Sequence, residues 1–277
     1  MAETFGVRLQ ERLRELGPLC VGVDPSSEVL LRWGRPDSVE GLEFCALAVL
    51  EAVTGVAPVI KPQVAFFERF GSAGFRVLER LIKEANDADL LVVADAKRGD
   101  VDSTNEGYAQ AWLHDGAPLA VDALTAHPYL GVAALRPLFD AAAATGRGVF
   151  VVAATSNAEG RTLQEARTTE QQRVQEMVLR SVAELNHRDD GLGSFGVVLG
   201  ATRDAPDFDL ASLGGPYLVP GIGAQGAGVK DVARLFERCA QGTVLVNVAR
   251  AILFAGPEHR GLLDAARRWR DDLREVL

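Results

Sequence analysis

The sequence predicts an α/β fold in which eight parallel strands and the helices between them close into a (β/α)8 TIM barrel with an N-terminal helix. Short apolar runs alternate with helix-like segments from end to end, as in parallel β/α units. The runs recur about every 32 residues, which accommodates a strand, a helix and two loops. No Gly/Ser-rich or Pro-rich linker divides the chain, so we expect one domain over residues 1–277, with an open doubly wound sheet as the structural alternative.

The expected strands are the apolar runs, and several of them end in a charged residue. In chain order they are PLCVGVD ending at Asp24, APVIK ending at Lys61, LLVVAD ending at Asp95, LAVDA around Asp122, GVFVVAAT ending at Thr155, FGVVLG ending at Gly200, YLVP ending at Pro220 and TVLVNV ending at Val248. The carboxyl ends of barrel strands form the functional face. We therefore expect the charged strand ends to meet at one rim.

Two helices are indicated by the spacing of their residues. Near the N-terminus, one helical face carries Phe5, Leu9, Leu13 and Leu16. A helix with this apolar face is expected to plug one end of the barrel. Farther along, Ser103 is followed three residues later by Glu106, a capping-box spacing that predicts a helix start.

Composition and charge argue against several classes of function. The formal net charge is -9 and the pI is near 5.1, so nucleic acid and anionic membranes would be repelled on average and neither is expected as a partner. No apolar window approaches the length of a membrane span, and the acidic first residues do not resemble a signal peptide. Cys20, Cys45 and Cys239 stand singly in apolar surroundings, which favours buried thiols in a cytoplasmic protein.

The stretch LLVVADAKRGDVDST changes from a buried strand into a cluster of charges. Of the 29 Lys and Arg residues only four are lysine, and two of these, Lys61 and Lys97, end apolar strands. Alternation along the strand points Asp95 and Lys97 to the same side, while Gly99 permits a turn that brings Asp100 to the next helix. A lysine between carboxylates stays protonated and is able to donate a proton. The alternative is an exposed loop with ordinary ion pairs.

A glycine-rich stretch, YLVPGIGAQGAGVKDV, includes the seventh expected strand and the turn after it. Its spacing Gly221-x-Gly223-x-x-Gly226 matches a dinucleotide fingerprint, but such a fingerprint normally opens the fold and is followed by an acidic strand end. In barrels, the loops after strands seven and eight commonly bind phosphate through backbone N–H groups. We therefore expect a phosphate site with Arg250 as a bidentate clamp. The alternative is a glycine-rich turn beside a surface arginine.

Three further features stay open at this point. His127 in TAHPYLG follows the fourth strand, where a structural role is favoured over contact with a ligand. Asp122 belongs either to the rim or to a loop cap. The polar residues 156–172 form either a lid or a solvated connection. The remaining histidines, which have no partners at metal-ligand spacing and so predict no metal site, are His114, His187 and His259.

Taken together, the motifs resemble those of the orotidine 5′-phosphate decarboxylase family, in its branch of larger subunits. The resemblance runs through CVGVDP, IKPQVAFFE, DAKRGDVDST, ATSN, VPGIGAQG and NVARAI. It implies an enzyme of pyrimidine biosynthesis that decarboxylates orotidine 5′-monophosphate (OMP) to UMP. It also implies that the enzyme needs no cofactor and works as a homodimer with shared active sites.

Carried over by position, the resemblance implies a role for each matching residue. The implied catalytic array is Asp95, Lys97, Asp100 and Lys61, with Asp100 reaching into the neighbouring subunit's site together with Thr104. The implied substrate contacts are Asp24 and Lys61 at the ribose, Val101 beside the leaving carboxylate, Ser156 at the pyrimidine, and Pro220, Gly221, Gly223, Gln225, Ala249 and Arg250 around the base edge and the phosphate. Ala249 stands where many members have glycine, which implies a looser backbone contact to phosphate.

Two other functions compete with this one. A magnesium-dependent sugar-phosphate decarboxylase or aldolase uses a similar D-x-K-x-x-D strand end, and sensitivity to EDTA would distinguish it. A catalytically silent barrel that binds a nucleotide is the alternative from a different class. The intact charged array favours catalysis over silent binding.

Overall fold

The structure, a computed structural model, describes residues 3–186, 191–201, 208–223 and 228–277. Within these ranges the strands pair in parallel in chain order, and the eighth pairs with the first, which closes the barrel. The predicted (β/α)8 barrel is confirmed, and the open sheet is excluded. The strands are β1 (Leu19–Val23), β2 (Val59–Pro62), β3 (Leu91–Arg98), β4 (Ala123–Ala126), β5 (Gly148–Ala154), β6 (Phe195–Leu199), β7 (Tyr217–Val219) and β8 (Val244–Val248).

Helices surround the barrel and connect its strands. In the described part of the chain they are α1 (Phe5–Leu16), α2 (Ser27–Arg32), α3 (Val39–Val53), α4 (Ala65–Glu68), α5 (Gly71–Asp87), α6 (Asp102–Trp112), α7 (Arg136–Thr145), α8 (Arg161–Gln164), α9 (Val174–Asn186), α10 (Val229–Leu235), α11 (Arg250–Leu253) and α12 (His259–Arg274). Short 3-10 turns cover Val132–Leu135, Ala158–Gly160 and Leu210–Leu213. None of the helices so described is long and apolar enough to cross a membrane.

The barrel is packed by apolar side chains on both faces of the sheet. Every residue of β1, β2 and β4 to β8 is buried, as expected for parallel strands covered by helices. The strand β3 differs, because its last four residues include exposed and half-buried positions. The fold therefore leaves one charged strand end open to solvent.

The N-terminal helix plugs the amino-terminal end of the barrel, as its sequence predicts. Phe5, Leu9 and Leu13 are buried and belong to the same apolar cluster as the residues inside the barrel. The ring of Phe5 meets that of Phe150 on β5 edge to face, with 5.9 Å between their centroids. Leu16, the fourth residue of the stripe, is only half-buried.

The fourth strand corrects the prediction, because it begins at Ala123 rather than at Leu119. The carboxylate of Asp122 accepts a hydrogen bond from the backbone N–H of Val92 (2.9 Å) and another from the guanidinium of Arg8 on α1 (2.6 Å). These contacts lie at the amino ends of β3 and β4. Asp122 therefore fastens the N-terminal helix to the barrel, and its possible assignment to the functional rim is wrong.

Candidate active site

A cavity of about 300 Å³ opens at the carboxyl ends of the strands, where barrel enzymes carry their active sites. Its lining combines acids and bases that come from different strand ends. The predicted site residues that line it are Asp24, Lys61, Asp95, Lys97, Ser156, Pro220, Gly221, Ala249 and Arg250. The rim predicted from the strand ends is therefore one continuous surface.

Asp95 is the centre of a buried ion-pair chain. Its Oδ2 accepts hydrogen bonds from Lys61 Nζ (2.7 Å) and Gln63 Nε2 (3.2 Å). Its Oδ1 accepts from Lys97 Nζ (2.5 Å) and from the hydroxyl of Thr125 (3.1 Å). The carboxylate thus accepts two hydrogen bonds from charged donors and two from neutral donors, which fix its orientation.

The electrostatics of this ion-pair cluster keep Asp95 and Lys61 charged. Burial alone would raise the pKa of Asp95, but the ammonium groups of Lys61 and Lys97 outweigh it and hold that pKa well below its usual range. Burial likewise opposes the charged form of Lys61, yet the carboxylates of Asp95 and Asp24 raise its pKa above the ordinary value. Lys61 therefore remains an ammonium although its side chain is only 4% exposed.

Asp24 is a half-buried acid that follows the last residue of β1. Burial raises its pKa, and the neighbouring Lys61 only partly offsets that effect. Its Oδ1 is buried and has no hydrogen-bond partner among the described residues. Because an unpartnered buried oxygen is costly, this atom offers a strong acceptor to a hydroxyl group in the cavity.

Lys97 reaches the cavity through an irregular strand end. β3 continues to Arg98, three residues beyond its expected end at Asp95, and its register with β4 shifts between Ala94 and Arg98. Lys97 itself has φ of 48°, a left-handed conformation that is uncommon for residues other than glycine. Bulges of this kind redirect side chains and are frequent beside active sites.

Asp100, Val101 and Thr104 do not line the cavity of this single chain. The backbone of Asp100 is held by the buried Asn105, whose Oδ1 accepts from its N–H (2.9 Å) and whose Nδ2 donates to its carbonyl (2.5 Å). Val101 is 47% exposed. None of the three side chains therefore contributes to the cavity of its own chain.

The predicted capping box between Ser103 and Glu106 is wrong. The helix α6 begins at Asp102, and its N-cap residue Val101 makes no side-chain cap bond. The contacts between Asn105 and Asp100 organise this turn instead.

The loops after β7 and β8 complete the cavity from the other side. Pro220, Gly221, Ala249 and Arg250 line it, while Gly223 does not. Gly221 has φ of 94°, which favours glycine at this turn. A side chain on Gly223 would instead meet the ring of Trp269 at 3.2 Å. Gln225 lies outside the described residues.

Close packing at the β1 and β8 ends explains how Ala249 is accommodated. A Cβ atom added to Gly22 would lie only 2.6 Å from the Cβ atom of Ala249. The methyl group of Ala249 therefore occupies space that the absence of a side chain at Gly22 leaves free.

Several lining residues were not predicted from the sequence. They are the polar residues Gln63, Thr155, Asn157 and Asn247 and the apolar residues Val152, Val198, Leu218 and Ile222. The alternation of side chains along a strand could have indicated Gln63, because a residue two positions after Lys61 lies on the same side of the strand. The apolar lining residues on β5, β6 and β7 carry no comparable signal, because every position of these strands is buried. Ile222 lies in the loop after β7.

The polar segment after β5 is folded against the strand end. It contains a 3-10 turn and the short helix α8, whose last residue, Gln164, accepts from the N–H of Thr155 (3.0 Å) and donates to its hydroxyl (2.9 Å). A lid and a solvated connection both stay as interpretations of residues 156–172. The backbone N–H of His127 donates to the backbone carbonyl of Arg98 (2.9 Å), which ties this residue to the end of β3.

No group of three or more His, Cys, Asp or Glu side chains is arranged to hold a metal ion in the ranges that the structure describes. Two of the cavity's charged groups, Lys61 and Lys97, are instead paired with the same acid, Asp95. Acids alternating with lysines at the mouth of a closed parallel barrel define a (β/α)8-barrel enzyme whose chemistry depends on fixed charges.

The chain belongs to the orotidine 5′-phosphate decarboxylase / HUMPS family, whose family model matches residues 17–262. It is 49% identical over 275 residues to the orotidine 5′-phosphate decarboxylase of Salinispora arenicola, with 99% of each chain covered. The orotidine 5′-phosphate decarboxylase of Streptomyces coelicolor is 47% identical over 276 residues, again with 99% of each chain covered.

Solved structures give the same assignment of the fold. A Streptomyces avermitilis crystal structure superposes with a TM-score of 0.95 at 46% identity, over 99% of this chain and 96% of that chain. The OMP decarboxylase of Leishmania donovani superposes with a TM-score of 0.77 at 29% identity, over 99% of this chain and 98% of that one.

Proposed function

We propose that this chain is an orotidine 5′-phosphate decarboxylase, a carboxy-lyase that converts OMP to UMP and CO2 in pyrimidine biosynthesis. The observation that carries the proposal is the ion pair between Lys97 Nζ and Asp95 Oδ1, at 2.5 Å, on the wall of the cavity. It supplies a fixed ammonium group that is partly open to the cavity. Family membership and full-length similarity to decarboxylases of the same reaction support it.

The reaction breaks the bond between the pyrimidine ring carbon and its carboxylate. The electron pair stays on the ring carbon and CO2 leaves, so a carbanion develops where the carboxylate was attached. The ammonium of Lys97 stabilises that charge and then donates a proton to the same carbon, which yields UMP. Lys97 is left as a neutral amine and regains its proton from solvent.

Asp95 and Lys61 hold the ammonium of Lys97 in place. Asp95 accepts from both lysines, so neither lysine is able to swing away without breaking a short charged hydrogen bond. Because the array is set before substrate binds, little reorganisation is needed during the reaction.

The rest of the substrate is bound by groups around the same cavity. We assign the buried Oδ1 of Asp24 to a ribose hydroxyl, since this acceptor has no partner among the described side chains and backbone groups. We assign the phosphate to Arg250 and the turn at Gly221, and the pyrimidine to Ser156 and Pro220. Binding energy from these remote contacts accelerates the reaction where it is realised more fully in the transition state.

The active form is a homodimer in which the two subunits share their sites. Asp100 and Thr104 lie outside their own cavity, which fits a role in the partner's site. The loops after β3 and β4 also expose apolar side chains, with Val101 47%, Tyr129 75% and Leu130 53% exposed. Exposed apolar residues on adjoining loops are typical of an interface, and a second copy of the chain is its natural occupant.

The protein acts in the cytoplasm as one domain over residues 1–277. Its three cysteines are free thiols, which suits a reducing compartment. Burial raises the pKa of Cys20 and of Cys45 to about 12, so both stay neutral and unreactive. The first and last helices pack against the same barrel, which supports a single domain.

Loss of OMP absorbance, followed with purified protein in EDTA, tests this function. We expect turnover with release of CO2 and formation of UMP, unaffected by the chelator. A strict requirement for magnesium would favour the sugar-phosphate reaction. Tight UMP binding without turnover of OMP would instead identify a silent nucleotide-binding barrel.

A further inference from the structure

The catalytic lysine occupies an irregular part of the sheet, and one residue on the neighbouring strand compensates for that irregularity. Between the paired positions Ala94–Leu124 and Arg98–Ala126, three residues of β3 face the single residue Thr125 of β4. Ordinary ladder hydrogen bonds cannot form across such a mismatch. The backbone at Lys97 therefore needs another partner.

Thr125 provides that partner with its side chain. Its Oγ1 accepts a hydrogen bond from the backbone N–H of Lys97 (2.9 Å), and its hydroxyl donates to Oδ1 of Asp95 (3.1 Å). The same Oδ1 accepts from Lys97 Nζ. One hydroxyl thus links the backbone and the side-chain partner of Lys97 in a closed ring of hydrogen bonds.

Thr125 is fully buried and does not line the cavity. A side chain in this position does not contact the substrate and is able to affect the reaction only through the residues that it contacts. Its hydroxyl has one proton, which the carboxylate takes, and its lone pairs serve the strained N–H group. Both functions of the hydroxyl act on the residues that carry the chemistry.

We propose that Thr125 is a positioning residue, which stabilises the left-handed backbone at Lys97 and orients Asp95 so that the ammonium group points into the cavity. This proposal rests on the proposed decarboxylase function. It adds a residue that acts on the rate of the chemical step rather than on substrate binding. No such role follows from the strand-end motif itself, because Thr125 lies on a different strand.

The test compares variants that differ in the hydroxyl alone. Thr125→Val keeps the shape of the side chain but leaves the Lys97 N–H without its acceptor. We expect kcat to fall by about 10- to 100-fold, the effect of losing a hydrogen bond to a charged group, while KM changes by less than about threefold. Thr125→Ser restores the hydroxyl and should recover kcat to within about threefold of wild type.

A structural control separates positioning from general loss of stability. Thr145 also donates its hydroxyl to backbone carbonyls, those of Leu113 and Ala141 (both 2.9 Å), far from the cavity. Thr145→Val should lower the melting temperature with kcat unchanged. If Thr125→Val does not fold, a second pair of variants replaces it. Thr125→Ser and Thr125→Ala both lack the methyl group and differ in the hydroxyl, so the ratio of their kcat values measures the effect of the hydroxyl.

Wild-type turnover of OMP tests the proposed function independently of Thr125. Given that wild type turns over OMP, two results would overturn the positioning role. One is a Thr125→Val variant that keeps more than half of the wild-type kcat. The other is a Thr125→Ser variant that is impaired as severely as Thr125→Val. Hydrogen exchange at the Lys97 amide needs no substrate and gives a second readout. We expect the amide to lose protection in Thr125→Val, and unchanged protection would also overturn the proposal.

Discussion

The buried ion pair between Lys61 and Asp95 makes a quantitative prediction about stability. Replacing Lys61 by methionine keeps most of the side-chain volume and removes the charge. Asp95 then loses the ammonium on its Oδ2, at 2.7 Å, and Asp24 loses the cation that most lowers its pKa. Because the two paired side chains are only 4% and 12% exposed, solvent cannot replace the lost interaction.

Removing one partner of a buried pair costs about 3 to 5 kcal/mol. In Lys61→Met, Asp95 keeps only the more exposed ammonium of Lys97, and Asp24 loses the favourable charge of Lys61. For a chain of this size, we expect Lys61→Met to lower Tm by roughly 5 to 9 °C. The measurement is urea unfolding at pH 7 together with a thermal melt. A matched control is Lys83→Met, because Lys83 Nζ lies as close to Asp87 (2.6 Å) but its side chain is 75% exposed. A pair so exposed contributes little, so the control should barely change Tm.

The stability deficit of Lys61→Met should also depend on pH. The folded-state pKa of Asp95 is lowered in the wild type, so its contribution is present above the unfolded value of 3.8 and is lost as the pH falls towards the folded value. The pKa of Lys61 is raised, so its contribution is present below 10.5 and is lost only at alkaline pH. The difference between variant and wild type should therefore be full near pH 7 and shrink below about pH 4. Equal stability of Lys61→Met and Lys83→Met at pH 7 would refute this reasoning.

Three further predictions concern activity. Lys97→Ala should keep the fold, as judged by circular dichroism. Its activity should fall by about a thousandfold or more, because both the stabilising charge and the proton donor are removed. Substantial residual turnover would rule out Lys97 as the acid. Inactive Asp100→Ala and inactive Lys97→Ala chains, mixed in equal amounts, should recover about a quarter of wild-type activity, because half of the dimers are hybrids with one intact site each. No recovery despite verified subunit exchange would place Asp100 outside the partner's site. Arg250→Ala should weaken UMP binding by about 10- to 100-fold in calorimetry, the effect of losing a bidentate anion contact, and an unchanged Kd would place the phosphate elsewhere.

The sequence predicted the barrel and the charged rim because both follow from local patterns. Strand ends bring Asp24, Lys61 and Asp95 to one face of any parallel barrel, whatever the details of packing. The start of β4 was misplaced, since LAVDA and DALTA are both plausible strands and only the contact between Asp122 and Arg8 decides between them. That contact is tertiary and leaves no local signal.

Other parts of the site depend on geometry that no sequence pattern reveals. The register shift at the end of β3 places Thr125 beside Lys97, although 28 residues separate them. The lining residue Asn247 is a polar position inside a strand that otherwise reads as apolar core. The roles that we propose for Asp100 and Thr104 lie in a second subunit's site, and no pattern within a single chain reveals such a contact.

A crystal structure of the protein with UMP bound tests the central claim most directly. We expect the Nζ atom of Lys97 at about 3 to 3.5 Å from the ring carbon that loses the carboxylate, which is the distance of a group poised to react. The phosphate should lie against Arg250 and the Gly221 turn in the same complex. A Lys97 side chain directed into solvent, with the nucleotide bound away from Asp95, would contradict the account.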